Sequence, residues 1–344
     1  MRNVLKLSIA LILCITAFTA CDDDSIFYGN VKTANGITSV SGIRTGGLER
    51  AFLIGLSTIK HLVINDTIDS RDFQTMRDEM TNLAVLDLTN ATIAAYNGSD
   101  GCAGSRVYHY SANAIPEFAF YNPVISQGKK SLTTIVLPKS IKSIKDYAFN
   151  STGLSGTLNI PASVRDTIGK NAFSFCDGLI AINLSSVSYI GESAFQACSN
   201  LAGGLVIPDS VFEIKPWAFA YCEKISSISI SKTVNSIGNT TFINCGGNLA
   251  VNAENTNYSA FDGVLFNADK STIVRFPSTK SGNYILPETV VDLAPYSFAN
   301  CSAINKVIIP SAAFLIEDYA FSECTALTEI NIPEGVFYIG QYAF

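Results

Sequence analysis

The residues most open to chemistry are nine cysteines and two histidines. Thiolates serve as nucleophiles, as redox partners and as soft metal ligands. Six of the cysteines share one local setting: Cys176, Cys198, Cys222, Cys245, Cys301 and Cys324 end the pieces AFSFC, AFQAC, AFAYC, TFINC, SFANC and AFSEC. A zinc site needs ligands converging on one point. Identical residues in successive coils form a column instead, with steps of about 4.8 Å. That step lies near the Cα separation a disulfide bridges, so pairing between neighbours is one reading. A ladder of buried thiols, acting as small hydrophobes with weak S–H donors, is the reading the column favours. Cys14, Cys21 and Cys102 fall outside that phase. His61 lies on a predicted strand and His109 in a predicted loop. No H-E-x-x-H, G-x-S-x-G, phosphate-loop or G-x-G-x-x-G pattern occurs. Nothing sets a base beside a nucleophile, and no cofactor or metal is expected. The remaining route to catalysis is a surface hydrolase whose carboxylate pair comes from distant repeats.

The elements that carry these cysteines repeat. Phe149, Phe173, Phe195, Phe219, Phe242, Phe298, Phe321 and Phe344 follow one another at 24, 22, 24, 23, 56, 23 and 23 residues. A fixed period in the low twenties predicts a solenoid. Each unit opens on alternating apolar residues, as in LNIP, LVIP and INIP, which predicts a short strand with one buried face. The proline that follows has no N–H and should end the strand. A second short extended piece (V-x-x-I-G) then runs along the other side, and Ala-Phe turns into the coil. No single unit can bury its phenylalanine, so stacking must build the core. The 56-residue step holds Asp262-Gly263 between apolar runs, a hairpin signal, so residues 246–301 are expected to form one enlarged unit. The predicted fold is a mainly β array of short strands and turns with a small helical N-terminal cap.

The pattern I-x-I-P…I-G-x-x-A-F-x-x-C resembles the BspA-type leucine-rich repeat family, also called the Treponema pallidum type. The resemblance runs over residues 131–344. It implies a leucine-rich-repeat solenoid and, since family members are mostly bacterial surface proteins, a link to adhesion.

Residues 1–20 read as an export signal: Arg2 and Lys6, then a 14-residue apolar run. FTAC resembles a lipobox, which makes Cys21 the expected lipidation site and the lipid the only membrane attachment. The alternative is an ordinary secretory signal beside a chance cysteine. CDDDS resembles the acidic signal of Bacteroidetes lipoproteins displayed on the outer face of the outer membrane, although three acids also suit a plain solvated tether. Residues 21–45 are expected to be that tether, and 46–130 a cap with divergent first repeats. Within that span residues 46–56 are a candidate capping helix, 69–80 a helix capped by Asp or Ser, and 96–111 an interrupting loop. The array is expected to continue beyond Phe344.

Net charge is −6, and becomes −8 once Arg2 and Lys6 leave with the signal. That argues against nucleic acid. Outward strand positions are small and nearly uncharged, which suits broad contact with a protein or glycan. Two sets of residues could bind. Arg106, Tyr108, His109 and Tyr110 in the loop resemble a small paratope. Aromatics stand just before Ala-Phe in several units, Trp217 the largest; they either contact a ligand or shield the turn. Asp-Ser/Thr-apolar triplets, which resemble an O-glycosylation signal of Bacteroidetes, mark Ser25, Thr67, Thr167 and Ser210. The expected function is a non-catalytic surface lipoprotein that binds host or microbial surface proteins in adhesion. The alternative is a glycan-binding accessory lipoprotein in nutrient capture.

Overall fold

The computed structural model describes residues 29–52, 55–104 and 107–344. The export signal, Cys21, Ser25 and Arg106 lie outside the described residues. The chain is a β-solenoid of about 13 turns, with two α-helices among the described residues, Leu48–Ala51 and Ser70–Asp78.

Each coil has a front strand, a corner, a back strand and a turn. Ser155–Asn159 runs parallel to Gly178–Asn183 on the front. Pro161 ends that strand, and its carbonyl accepts the Val164 N–H at 2.9 Å, which starts the corner. Pro208 and Pro310 do the same for Val211 and Ala313. On the back, strands of two residues from Ala114–Ile115 to Ser236–Ile237 make one six-stranded parallel sheet. Such short strands hold because their backbone groups pair with the adjacent coils, as the Gly169 N–H does with the Ile144 carbonyl at 2.8 Å. Gly156, Gly203 and Gly282 stand first or second in front strands, at φ of 75°, 77° and 85°. The register of each shifts at or just after that glycine. A Cβ at any of the three would meet nothing within 4 Å, so glycine is needed there for its φ, not for space.

Inside, the phenylalanines form a stacked column. Phe149, Phe173, Phe195 and Phe219 lie 5.1–5.4 Å apart, nearly parallel. Phe73 of the helix Ser70–Asp78 packs edge-on against Phe120 at 5.8 Å and so begins the column. A second run follows through Phe276, Phe298 and Phe321.

Three expectations need correction. Residues 21–45 are not all tether, because Asn30–Ala34 and Ile37–Ser41 form an antiparallel hairpin. Its second strand pairs in parallel with His61–Ile64 and buries Val40. Asn35-Gly36, both at positive φ, makes the turn, a local signal that the small and polar flanks outweighed. The capping helix over 46–56 shrinks to Leu48–Ala51, whose N-cap, Gly47, offers no side-chain acceptor. The helix Ser70–Asp78 caps the core instead, closed by an Asp69–Asp72 capping box. Asp72 also accepts the N–H groups of Gly46 and Leu48 at 2.7 and 2.9 Å, tying the preceding segment to that helix. Lastly, the loop 96–111 is a strand pair, Tyr96–Gly98 against Tyr108–Tyr110.

In the enlarged unit Asp262-Gly263, both at positive φ, joins Tyr258–Phe261 to Val264–Asn267, and Thr272–Arg275 completes a meander. Phe276 then rejoins the aromatic column, so the insertion carries its own core residue.

Candidate functional site

The Ala-Phe turn is built the same way in coil after coil. The Phe N–H donates to the Ala carbonyl of the next coil, as from Phe149 to Ala172, Phe173 to Ala194 and Phe195 to Ala218, each at 2.8 Å. Two residues per turn take the left-handed backbone. One precedes Ala-Phe: Phe118, Tyr147, Asn171, Ser193, Trp217, Tyr296, Tyr319 and Tyr342, at φ of 52–63°. The other precedes the cysteine position: Ser151, Phe175, Ala197, Tyr221, Asn244, Asn300 and Glu323, at 54–62°. This backbone costs an L-residue roughly 1–2 kcal/mol, least for glycine and asparagine. Asn171, Asn244 and Asn300 are therefore the easy occupants. The aromatic ones are held by hydrogen bonds between coils, such as Tyr147 N–H to the Lys170 carbonyl at 2.8 Å.

The aromatic occupants gather in two patches. Phe118, Tyr121 and Tyr147 lie 5.3–6.3 Å apart near the N-terminal side. Further along, Trp217 lies parallel to Tyr221 at 6.4 Å and edge-on to Tyr296 at 6.3 Å. Tyr296, Tyr319 and Tyr342 continue that line face to face at 4.8 and 5.1 Å. Asn171 and Ser193 separate the patches. Trp217, Tyr296 and Tyr319 are half-buried, and Tyr221 is exposed. In the tyrosine stack Tyr319 is covered on one face by Tyr296 and on the other by Tyr342.

Of the paratope-like residues, Tyr108, His109 and Tyr110 line one cleft but differ in exposure. Tyr110 is buried, and its hydroxyl accepts the Ala103 N–H at 2.7 Å, so it anchors the loop. Tyr108 is half-buried and donates to the Glu117 carboxylate. Burial, then that bond, pushes its phenol up. His109 is exposed and its Nδ1 lies 2.5 Å from Asn97 Oδ1. Tyr108 and His109 face a cleft of about 220 Å³ with Glu117 and Lys145. Trp217 belongs to the other patch.

Two arginines went unnoticed in the sequence. In regular coils the second left-handed residue donates its N–H to the carbonyl just after the next coil's phenylalanine, as Ser151 does to Ser174 and Phe175 to Gln196. The helix Ser70–Asp78 and the Phe276-Pro277 turn have no such residue. Arg77 Nη1 fills the first gap, donating to the Phe118 and Tyr121 carbonyls at 2.9 and 3.2 Å. Arg275 fills the second, donating to the Tyr296 and Ala299 carbonyls at 2.7 and 2.9 Å. Phe118 and Tyr296 hold equivalent positions, as do Tyr121 and Ala299. Arg275 stands where other coils have the Ala of Ala-Phe; it is 2% exposed, and burial lowers its pKa.

The family profile described as BspA type leucine rich repeat region matches residues 113–248, 202–285 and 276–344, in six copies. The chain belongs to the BspA-type leucine-rich repeat family. Such arrays in general mediate protein binding or adhesion. No curated protein matches the chain. Among solved structures, a leucine-rich cell-surface protein from Faecalibacterium prausnitzii A2-165 is similar at 20% identity over 92% of this chain and 77% of that one, with a TM-score of 0.52. A leucine-rich repeat protein from Bacteroides ovatus ATCC 8483 aligns at 20% identity over 95% and 80%, with a TM-score of 0.45. The first likeness supports the solenoid fold.

In this BspA-type array the repeat cysteines are free. Cys176, Cys198, Cys222, Cys245 and Cys324 donate S–H to the preceding coil's Phe carbonyl at 2.8–3.2 Å. They are therefore links between coils. Burial pushes the Cys176 and Cys324 thiols up to about 11, and Cys198 well above its ordinary value. Cys102 is also buried, donating to the Ser70 carbonyl at 3.0 Å. Among the described residues no group of three or more His, Cys, Asp or Glu is placed to hold a metal ion.

The triplet hydroxyls differ in access. Thr67 is exposed and Thr167 half-buried. Ser210 Oγ is buried without a partner, so a sugar could not reach it in the folded coil. On the front face the outward positions are open. Val206, Ser229 and Ala250 border a shallow groove of about 400 Å³.

Proposed function

We propose that this chain is a non-catalytic recognition protein, held at the outer face of the outer membrane by lipid on Cys21, whose Ala-Phe edge and front face bind proteins of host or neighbouring cells. The supporting observation is the aromatic strip from Trp217 to Tyr319. Asn171 and Ser193 fill the same column in other coils, so the fold does not require aromatics there. Bulky residues kept in a strained backbone state point to use. Tyrosine and tryptophan edges with polar tips are the side chains that dominate protein interfaces. The glycan alternative draws less support from this strip, because sugars pack on open ring faces and the tyrosine stack covers its own.

Two measurements test the reading. Protease added to intact cells should remove the protein; full protection would count against display. The purified ectodomain should retain proteins from a surface-protein panel, with Trp217→Ala weakening capture. Selective retention of glycans, unaffected by that substitution, would favour the nutrient-capture reading.

A further inference from the structure

The strip is also asymmetric in charge. Residues 276–344 hold seven acids and two lysines. Both lysines are engaged, Lys280 with Asp262 at 2.7 Å and Lys306 with Glu329 at 2.6 Å. Three of the acids sit at the Ala-Phe edge. Glu317 and Asp318 immediately precede Tyr319, and Glu323 occupies the outer left-handed column, exposed. Lys215, beside Trp217, is taken by Glu213 at 2.7 Å. The exposed edge thus combines neutral phenol rims with carboxylates that have no cation partner among the described residues.

We infer that the partner presents an extended, arginine- or lysine-rich protein segment, which lies along the edge from Trp217 to Tyr319. This rests on the recognition reading above and adds the chemistry of the partner. An extended chain repeats side chains on one face at about 6.8 Å, and the tyrosine rims repeat at about 5 Å; the long stems of arginine and lysine take up that mismatch and reach ring edges and carboxylates. Phenol oxygens accept from guanidinium or ammonium donors, and Asp318 and Glu323 supply charge-assisted bonds.

The test uses the described ectodomain and a fluorescent Arg-Gly repeat peptide, with a Glu-Gly peptide of equal length as control. Anisotropy titrations at low and at about 0.15 M salt should show the arginine peptide bound about tenfold or more tighter, with salt weakening it. Asp318→Asn with Glu323→Gln should lose about fivefold of that affinity. Asparagine keeps the Oδ1 that accepts the Gln341 N–H at 2.7 Å, so the turn survives. Glu288→Gln with Glu334→Gln removes the same charge from the proline corner, at the far end of each coil's cross-section, and should change little. Equal binding of the two peptides, or equal losses from the two double variants, overturns the inference. Capture of surface proteins by the ectodomain is read separately, so it distinguishes this failure from a failure of the recognition reading.

Discussion

Arg275 lies at the junction of two cores. One hydrophobic cluster runs from the N-terminal hairpin to Val274, and the other begins at Val264 and continues through Phe321. Truncating Arg275 to Ala removes both donors to Tyr296 and Ala299. The Tyr296 carbonyl keeps the Ala299 N–H at 3.1 Å, so the Ala299 carbonyl alone is left bare, at about 1–3 kcal/mol. The vacated volume adds about 2 kcal/mol or more. Against this, the variant no longer buries a guanidinium without a carboxylate partner, a relief of several kcal/mol. The relief is smaller for guanidinium than for ammonium, because guanidinium is weakly hydrated. The balance is a loss of about 1–2 kcal/mol, concentrated at one contact between coils.

In a solenoid each coil touches only its neighbours, so a weak contact uncouples the two sides. Arg275→Ala should split thermal unfolding into two steps, the earlier one in the residues after 276. Its midpoint should fall by about 4–8 °C per kcal/mol if a unit of 60–100 residues melts alone. Native-state hydrogen exchange should show Leu293 and Ile304–Ile308 losing protection while Ile168 and Ile190 keep theirs. Arg275→Lys, which can reach one carbonyl, should fall between. A single transition within about 2 °C of the parent, with unchanged exchange, would refute the bridging role.

Other substitutions test separate links. Burial, then Glu317, raises the half-buried Asp292 to about 6, above its unfolded value. The folded state therefore holds the proton more tightly between about pH 4 and 6, and stability falls as pH rises through that window. Asp292→Asn should stabilise by about 1 kcal/mol near pH 7.5 once solvent screening is allowed for, read as a higher melting temperature, and change nothing near pH 4; an equal gain at both pH values would defeat this. Thiol labelling of the native protein should reach half-buried Cys324 first and Cys198 only on unfolding, and matched rates would contradict the buried ladder. Gly203→Ala has room for its Cβ but forces φ to 77°, so it should cost about 1 kcal/mol in chemical denaturation. No loss would show that the front strand can relax its register shift.

The repeat was legible because it is written in apolar spacing. The Phe column, the proline stops and the Asp262-Gly263 turn follow from local rules that act within a few residues. The helix Ser70–Asp78 was legible for the same reason, through Asp69 at its cap. Less legible was what depends on the neighbouring coil. Tyr110 and Tyr108 look alike in YHY, yet one closes on the Ala103 N–H inside the fold and the other reaches Glu117. The left-handed columns were marked only by Asn171, Asn244 and Asn300, three residues among many asparagines. Asn35-Gly36 carried a plain hairpin signal, but its importance lay in the parallel partner His61–Ile64, a separate segment.

Arg77 and Arg275 show most clearly how a repeat hides its exceptions. Aligned on the phenylalanine, Arg275 is a misfit, a cation where other coils have a small residue in the core. Arg77 is one polar residue on an amphipathic helix. Nothing in the spacing relates them. Their common role appears only when the carbonyls of the following coil are asked for their donors. Phe118 and Tyr121 in one place, and Ala299 in the other, need N–H groups that a helix and a Phe-Pro turn cannot provide. Arginine is suited to this because its fork delivers parallel donors from a long stem and stays charged when buried. An irregular coil in this array thus requires a side chain that completes the backbone ladder of the next one. By that reasoning a buried cation at the Ala position marks a coil whose own turn is missing, and it is a structural signal before it is a functional one.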